Sequence, residues 1–292
     1  MGLTKIACHT DPGPRENLED ALATFEMRLP VGGALRGNIV CDGVGGHSYG
    51  EVASSTSVVT IASSLIASLG RARISPSDAV PPDDTVRDCL RRALQEANRA
   101  IVDAANERQD IRGMSTTVVC AVAVDSKLYA AWAGDSRCYL WREGTLERIT
   151  RDHSRVQALI DAGFLDDEEA KFHPLSHSIT RYLGQAEGFQ ADVEVRDLQH
   201  GDVILLCTDG LTDVLSDKEL GDAIAPVVDE TEAFDELPQR LVRQALEAGT
   251  TDNVTVICCK HLAPSEPGQS FLGQTRTDAY PRELARTFQP TC

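Results

Sequence analysis

The sequence lacks the cysteine pattern of a disulfide-linked or zinc-binding protein. Its nine cysteines form no C-x-x-C pair, and their number is odd. Four of them lie inside apolar runs, where a reduced cysteine packs as a small hydrophobic residue: Cys120, Cys138, Cys207 and Cys258. This usage indicates buried, reduced thiols and a reducing compartment.

The chain also lacks a segment that predicts export or membrane insertion. Residues 1–16 contain no apolar core of the roughly 7–15 residues found in a signal peptide. The most apolar stretch, residues 52–69, is rich in Ser and Thr and shorter than the ~20 residues of a membrane span. We therefore expect a cytoplasmic protein with no membrane partner, in which residues 52–69 form a buried helix.

Positive charge is scarce. The 292 residues include 28 Lys and Arg against 45 Asp and Glu, which gives a net charge of −17. Such a chain repels nucleic acid at long range, so no nucleic-acid partner is expected. The charge is compatible with a carboxylate site for cations, although a solvated acidic surface accounts for most of it.

Hydrophobic periodicity predicts the elements of the first half of the chain. Residues 1–40 read as two short strands, and residues 51–69 as an apolar helix. Residues 116–150 are β-branched and aromatic with turn signals at 125–127 and 143–144, which predicts three or four antiparallel strands in one meander. A second helix is predicted from apolar steps of three and four that share one face: Val86, Leu90, Leu94, Ala97, Ile101 and Ala105.

The second half alternates helices with short buried strands. Residues 155–172 look helical, with Ser154 as the N-terminal cap. Further strands are predicted at 202–207 and 254–259, with two helices between them at 217–225 and 233–248. Together these elements predict a layered α+β domain over residues 1–262, followed by a mobile tail at 263–292.

Aspartates recur where the predicted apolar strands begin or end: Asp42, Asp135, Asp209 and Asp252. An aspartate beside a buried strand is often only a turn or cap residue. Several that converge make an all-oxygen site, which Mg²⁺ and Mn²⁺ prefer. His173 and His177 have the spacing of a helical zinc pair, but Pro174 lies between them and disfavours that site.

The order of motifs resembles the metal-dependent protein phosphatases, the type 2C serine/threonine phosphatases, in their bacterial form. Each motif alone is weak, whereas eight in family order over about residues 5–260 are specific. The matching segments are residues 15–21 (RENLEDA), 41–54 (CDGVGGHSYGEVAS), 114–119 (MSTTVV), 133–144 (AGDSRCYLWREG), 149–163 (ITRDHSRVQALIDAG), 173–184 (HPLSHSITRYLG), 201–213 (GDVILLCTDGLTD) and 251–257 (TDNVTVI).

The resemblance implies a fold and a set of cofactors. The fold is two packed antiparallel β-sheets flanked by helices, with a flap at about residues 157–179. The cofactors are two or three Mg²⁺ or Mn²⁺ ions per chain. The implied activity is hydrolysis of phosphoserine and phosphothreonine on proteins in signalling, with a cognate serine/threonine kinase or its targets as partners and a monomeric enzyme.

The resemblance also implies roles for individual residues. Asp42 bridges two metal ions and the Gly43 carbonyl is a further ligand. Asp209 and Asp252 match the later ligands. The remaining implied roles are metal binding by Asp20, a water-mediated contact by Glu19, a third, more weakly bound metal held by Asp135 with Asp209, and phosphate binding by Arg15.

The chemistry of phosphoester hydrolysis agrees with such a site. Two cations about 3.5–4 Å apart neutralise the ester and activate a water molecule. A planar guanidinium such as that of Arg15 can bind two phosphate oxygens at once. No protein nucleophile is needed, and none of the nine cysteines begins the C-x5-R segment of a cysteine-dependent phosphatase.

Two positions depart from the family pattern. Leu18 stands where many members have Asn, and Val44 stands where some eukaryotic members have a His that is a candidate general acid. His47, three residues further on, is a candidate for a supporting hydrogen bond or for proton transfer. A metal-bound water is the other candidate acid.

Two alternative functions remain at this point. One is a catalytically inactive protein of the same fold that serves as a regulatory or binding module, although such proteins usually lose metal ligands. The other is a two-metal nuclease or phosphodiesterase, against which the acidic charge and the absence of a basic stripe both argue.

Overall fold

The computed structural model describes residues 4–28, 34–44, 49–71, 81–166, 169–170, 173–228 and 231–262. The predicted tail at 263–292 and the predicted site residue His47 lie outside these residues. The strands are β1 Lys5–Asp11, β2 Asp20–Arg28, β3 Ala34–Val44, β4 Ser115–Thr116, β5 Val118–Val124, β6 Lys127–Ala133, β7 Arg137–Arg142, β8 Thr145–Arg148, β9 Asp192–Asp197, β10 Val203–Cys207 and β11 Val254–Lys260. The helices are α1 Gly50–Arg71, α2 Asp83–Glu107, α3 Arg155–Asp161, the single turn α4 Asp209–Thr212, α5 Asp217–Val228 and α6 Leu237–Glu247, with 3₁₀ turns at Gln109–Ile111 and Phe234–Glu236.

These strands form two sheets, and every pairing between them is antiparallel. One sheet has the order β1-β11-β10-β7-β8, and the other has the order β2-β3-β5-β6-β9, with β4 paired to β3. Helices α1 and α2 pack on the β2–β9 sheet, while α5 and α6 pack on the β1–β8 sheet. The predicted fold of two packed antiparallel sheets flanked by helices is therefore confirmed.

Alternation along the strands divides the apolar side chains between two faces. In β3, Ile39 and Cys41 pack against the helices, whereas Val40 packs in the layer between the sheets. The same inter-sheet layer contains Leu206 of β10 and Ile257 of β11. Every residue of β5, β10 and β11 is buried, which explains their continuous apolar runs.

Helix α1 is, within the described ranges, the one helix long and apolar enough to cross a membrane by length and composition. In the structure it packs as a core helix, with Ala53, Ile61, Leu65 and Leu69 buried against α2 and the adjacent sheet. Helix α2 buries the predicted face from Val86 to Ile101, whereas its last member, Ala105, is half-buried.

Three predictions about elements are wrong. Residues 1–40 contribute three strands, because the loop before Asp20 leads into a separate strand β2. The expected single meander at 116–150 is divided: β5–β6 belong to one sheet and β7–β8 to the other. The chain crosses between the sheets at Gly134, whose φ of 121° few other residues adopt.

The third error concerns the helix predicted over 155–172. The Ser154 cap is confirmed, since its hydroxyl accepts a hydrogen bond from Gln157 N at 3.2 Å. The helix nevertheless ends at Asp161, two residues before Gly163, whose φ is +73°.

Candidate metal centre

The predicted carboxylates meet at one end of the sandwich because of the strand directions. Asp20 begins β2 and is the cross-strand partner of Asp42, near the end of β3. Asp209 follows β10, and Asp252 lies two residues before the antiparallel β11. Asp135 follows β6, at the crossing between the sheets.

These side chains differ in exposure: Asp20 is buried, Asp42, Asp135 and Asp209 are half-buried, and the side chain of Asp252 is 40% exposed. The carboxyl groups of Asp42 and Asp209 are within hydrogen-bonding contact. Burial, followed by the negative charges of Asp209 and Asp20, holds the pKa of Asp42 well above its usual range. Burial and the charge of Asp209 likewise raise the pKa of Asp135. Such a group keeps its protons unless a positive charge balances it.

Two buried oxygen atoms of this group lack a hydrogen-bond partner among the residues that the structure describes: Oδ1 of Asp20 and Oδ1 of Asp209. The other Asp20 oxygen, Oδ2, accepts a hydrogen bond from Thr208 Oγ1 at 3.1 Å. A buried, unpaired carboxylate oxygen is costly in a folded protein. The all-oxygen donor set fits hard divalent cations such as Mg²⁺ and Mn²⁺, which would satisfy both atoms.

A second group lies beside the first and contains a residue that the sequence analysis missed. Ligand atoms of His177, Asp209 and Asp213 lie within 4.8 Å of one another. Asp213 follows Asp209 by one helical turn, and its N–H donates to the Asp209 carbonyl at 2.8 Å across α4. Partial burial and the charge of Asp209 raise the pKa of Asp213 to about 7. The i,i+4 spacing of acids in TDGLTD was the available signal.

His173 does not join this group. Its Nδ1 accepts a hydrogen bond from Leu175 N at 3.2 Å within the local turn. Among the described residues, His177 therefore groups with Asp209 and Asp213 and not with His173.

Arg15 lies at the rim of the carboxylate group. Its Nη2 lies 2.9 Å from Asp252 Oδ2, and its Nε donates to the Thr251 carbonyl at 2.8 Å. The Arg15 side chain is 55% exposed, so the guanidinium faces solvent while it remains attached to the site.

The loop that carries Arg15 and Glu19 is held by one buried amide. Asn253 Oδ1 accepts from Glu19 N at 2.7 Å, and its Nδ2 donates to the carbonyls of Pro12 and Asn17, each at 2.9 Å. The Glu19 carboxyl lies beside Gly50, the first residue of α1. Partial burial and the charge of Glu51 in the first turn of that helix raise the pKa of Glu19.

Gly43 brings two backbone segments together. Its N–H donates to the Glu19 carbonyl at 3.2 Å. A Cβ at this position would lie 2.3 Å from the Gly50 carbonyl oxygen, so only glycine allows the approach. The departures Leu18 and Val44 are exposed residues flanking this region, 37% and 40% exposed.

A cavity of about 670 Å³ extends from Asp135, Asp209 and Asp213 to helix α3. Its wall includes Val156 and Ile160 of that helix. The two ends of the segment 154–179, which contains α3, lie side by side. Ser154 forms a β-bridge with Ile179, and Arg155 N donates to Ser178 O at 2.9 Å. The predicted flap at about 157–179 lies within this segment, of which residues 167, 168, 171 and 172 are not among the described residues.

Fold and site together define a class: a two-sheet sandwich flanked by helices, with a group of carboxylates that opens onto a cavity of about 670 Å³. The model of the protein phosphatase 2C family matches residues 16–248. The chain therefore belongs to the protein phosphatase 2C family, and the predicted enzyme class, a protein serine/threonine phosphatase, is confirmed.

Relatives and solved structures agree. The chain is 33% identical over 219 residues to the serine/threonine phosphatase Stp of Listeria welshimeri, with 75% of this chain and 82% of the relative covered. It is similar to the S. agalactiae serine/threonine phosphatase structure, with TM-score 0.75, 30% identity, and 88% and 99% of the two chains covered. It is also similar to the catalytic domain of PstP in complex with two manganese ions, with TM-score 0.71, 32% identity, and 89% and 98% covered.

Proposed function

We propose that this chain hydrolyses phosphoserine and phosphothreonine in proteins and requires two or three Mg²⁺ or Mn²⁺ ions. The observation that carries the proposal is the buried group of Asp20, Asp42 and Asp209, in which two carboxylate oxygens lack partners among the described residues. The family membership and the PstP structure with two manganese ions support the same cofactor.

The carboxylates divide into two overlapping sets. Asp42, Asp20, Asp209, Asp252 and the Gly43 carbonyl would hold two cations, with Asp42 shared between them. Asp135, Asp209 and Asp213 would hold a third, and Glu19 would contribute through water. Bound cations would neutralise the phosphate ester and lower the pKa of the attacking water.

The other residues bind and orient the substrate. The guanidinium of Arg15 binds two phosphate oxygens at the rim of the site. The cavity beside α3 takes the peptide on either side of the phosphorylated residue.

Water is the nucleophile, because no cysteine on the described part of the chain is placed for attack at the centre. Seven cysteines there are buried, and Cys8 is exposed but lies on β1. Burial raises the pKa of Cys120 to about 12, which keeps that thiol protonated.

We infer that the substrates are targets of a serine/threonine kinase or the kinase itself, in signalling within the cytoplasm. The net charge of −17 supports a chain that binds neither nucleic acid nor an anionic membrane. The enzyme would act as a monomer, with its catalytic domain at residues 1–262 and its flap at about 157–179.

The test is hydrolysis of p-nitrophenyl phosphate and of a phosphothreonine peptide with Mn²⁺, with Mg²⁺ and with EDTA. We expect metal-dependent turnover that Asp42→Asn reduces at least 100-fold, because the substitution removes a shared ligand. Asp222→Asn is the matched control, since Asp222 is an exposed acid paired with Lys218 on α5.

Two outcomes would overturn the proposal. Folded wild-type protein with no turnover under either metal would favour the inactive regulatory module. Faster hydrolysis of bis-p-nitrophenyl phosphate than of the monoester would favour a phosphodiesterase.

A further inference from the structure

We propose that the buried hydroxyl pair of Thr117 and Ser136 is a positioning element that fixes Asp135 relative to Asp42. The pair thereby sets the affinity of the third cation position. This inference rests on the proposed function for the roles of the two carboxylates. Its evidence is a continuous set of hydrogen bonds between the end of β3, which carries Asp42, and the loop that carries Asp135.

The first half of the connection joins Thr117 to Asp42. Asp42 N donates to Thr117 Oγ1 at 3.1 Å, and Thr117 N donates to the Asp42 carbonyl at 2.8 Å. Thr116 Oγ1 donates to the same carbonyl at 2.7 Å. The backbone of Asp42 is thus fixed on both sides by neighbouring threonines.

The second half joins Thr117 to the loop of Asp135. Thr117 Oγ1 and Ser136 Oγ lie 2.7 Å apart, and each residue is only 1% exposed. The loop approaches closely because Gly134 has no side chain. A Cβ there would lie 2.6 Å from the Cβ of Thr117.

The Asp135 loop needs such a connection because no sheet holds it. Residues 134–136 lie between β6 of one sheet and β7 of the other. On the opposite side, Gly134 O accepts from His153 N at 2.9 Å and Gly134 N donates to His153 Nδ1 at 3.3 Å. His153 fixes Gly134, and the hydroxyl pair fixes Ser136, so Asp135 is held between two anchors.

Electrostatics explains why the distance must be fixed. When they are ionised, as cation binding requires, Asp42 and Asp135 repel each other and Asp209. Without a rigid connection, Asp135 would relax away from the group. A loosely held ligand binds a cation more weakly because ordering it costs free energy on binding. The third position depends on Asp135, whereas the ligands of the first two lie on β2, β3, β10 and β11 and their ends.

The experiment compares Thr117→Val, Ser136→Ala and the double variant in the full chain. Thr150→Val is the matched control, because Thr150 Oγ1 is also buried and accepts a backbone hydrogen bond, from Cys138 N at 3.0 Å. Mn²⁺ binding is measured by isothermal titration calorimetry, with thermal unfolding as the fold control. Hydrolysis is measured as a function of Mn²⁺ and of phosphopeptide.

We expect each single variant to weaken the weaker class of Mn²⁺ sites about tenfold. Ser136→Ala should leave the tighter class and the peptide KM unchanged, whereas Thr117→Val should weaken the tighter class too, because it also removes the acceptor of Asp42 N. The double variant should lose no more than either single variant, because the two hydroxyls act as one unit. Thr117→Ser, which keeps the hydroxyl, should restore binding. If Thr117→Val fails to fold, Ser136→Ala and Thr117→Ser carry the comparison.

The proposal is overturned if both variants titrate like Thr150→Val, if their losses multiply in the double variant, or if wild-type protein shows a single class of sites. Failure of the proposed function is a different result. In that case wild-type protein binds Mn²⁺ in both classes but hydrolyses no phosphomonoester.

Discussion

Arg15 shows how one exposed side chain can serve a site of buried carboxylates. It reaches Asp252 and the Thr251 carbonyl, so its guanidinium is already oriented toward the centre. We expect Arg15→Ala to raise the KM for a phosphothreonine peptide about 10- to 100-fold, because a hydrogen-bonded charge to phosphate contributes about 1.5–3 kcal/mol. The turnover number should change little, as measured by steady-state kinetics with saturating Mn²⁺.

The loss of the Arg15–Asp252 pair adds little to this effect, since exposed ion pairs contribute about 0–1 kcal/mol. Arg91→Ala is the control, because Arg91 is an exposed arginine paired with Asp88 on α2. Arg15→Lys should recover part of the affinity. A lower turnover number at an unchanged KM would contradict phosphate binding by Arg15.

Single residues also mark the limit of prediction for the site. Asp20, Asp42, Asp209 and Asp252 were predicted from motif order, and the structure brings their strand ends together. Asp213 was missed although it follows Asp209 by four residues. That spacing brings the two acids together only in a helix, and the single turn α4 is too short for its hydrophobic pattern to predict one. The contact of Arg15 with Asp252 was also beyond prediction, since it joins residues far apart in sequence.

At the level of elements, the loop between β1 and β2 depends on Asn253. We expect Asn253→Ala to lower the free energy of unfolding by about 2–3 kcal/mol, because three hydrogen bonds are lost and their partners stay partly buried. Amide exchange over residues 12–19 should accelerate, as measured by mass spectrometry. The peptide KM should rise too, because this loop carries Arg15.

A matched control for this substitution exists in α2. Asn98 also makes three backbone contacts, accepting from Gly184 N and Gln185 N and donating to Gln185 O. Asn98→Ala should cost similar stability while amide exchange accelerates near residues 180–185. Equal exchange in both loops for both variants would show general loosening and would contradict a local role for Asn253.

The elements were predicted where the signal is local. The apolar face of α2, the Ser154 cap and the buried strands β10 and β11 follow from spacing within each segment. The division of β5–β8 between two sheets does not, because a strand's pattern shows that it is buried but not which strand lies beside it. Strand β9 was missed for a related reason: it is short, and only Val193 of its six residues is buried.

On the scale of the whole molecule, both sheets end at a set of carboxylates that repel one another. Asp20 and Asp42 come from one sheet, and Asp209 and Asp252 flank strands of the other. Cations bound between them therefore join the two halves of the sandwich. A ligand that binds only the folded state adds about 2.7 kcal/mol of stability at 100 times its dissociation constant.

This arrangement predicts how pH affects the metal-free protein. Burial and the charge of Asp209 raise the pKa of Asp20 to about 7 in the folded state, whereas in the unfolded chain it lies near 4. The folded protein thus holds a proton that the unfolded chain releases, so stability falls as pH rises toward and through 7. Burial lowers the pKa of His153 and of His261, which opposes this slope up to about pH 7.5, because imidazole in the unfolded chain titrates around pH 6.5. The raised pKa values of Asp42, Asp135 and Asp213 act in the same direction as that of Asp20 and outweigh the two histidines.

The pH dependence of stability is therefore measured between pH 6.5 and 8. In EDTA we expect the free energy of unfolding, measured by urea denaturation, to fall by at least about 1 kcal/mol across this range, as the net effect of Asp20, Asp42, Asp135 and Asp213 against the two histidines. Saturating Mn²⁺ should flatten or reverse the slope, because cations replace the bound protons and bind more tightly as the carboxyls ionise. Stability that rises with pH in EDTA would mean that these carboxyls are already ionised at pH 6.5, and that the centre does not depend on cations to balance its charge.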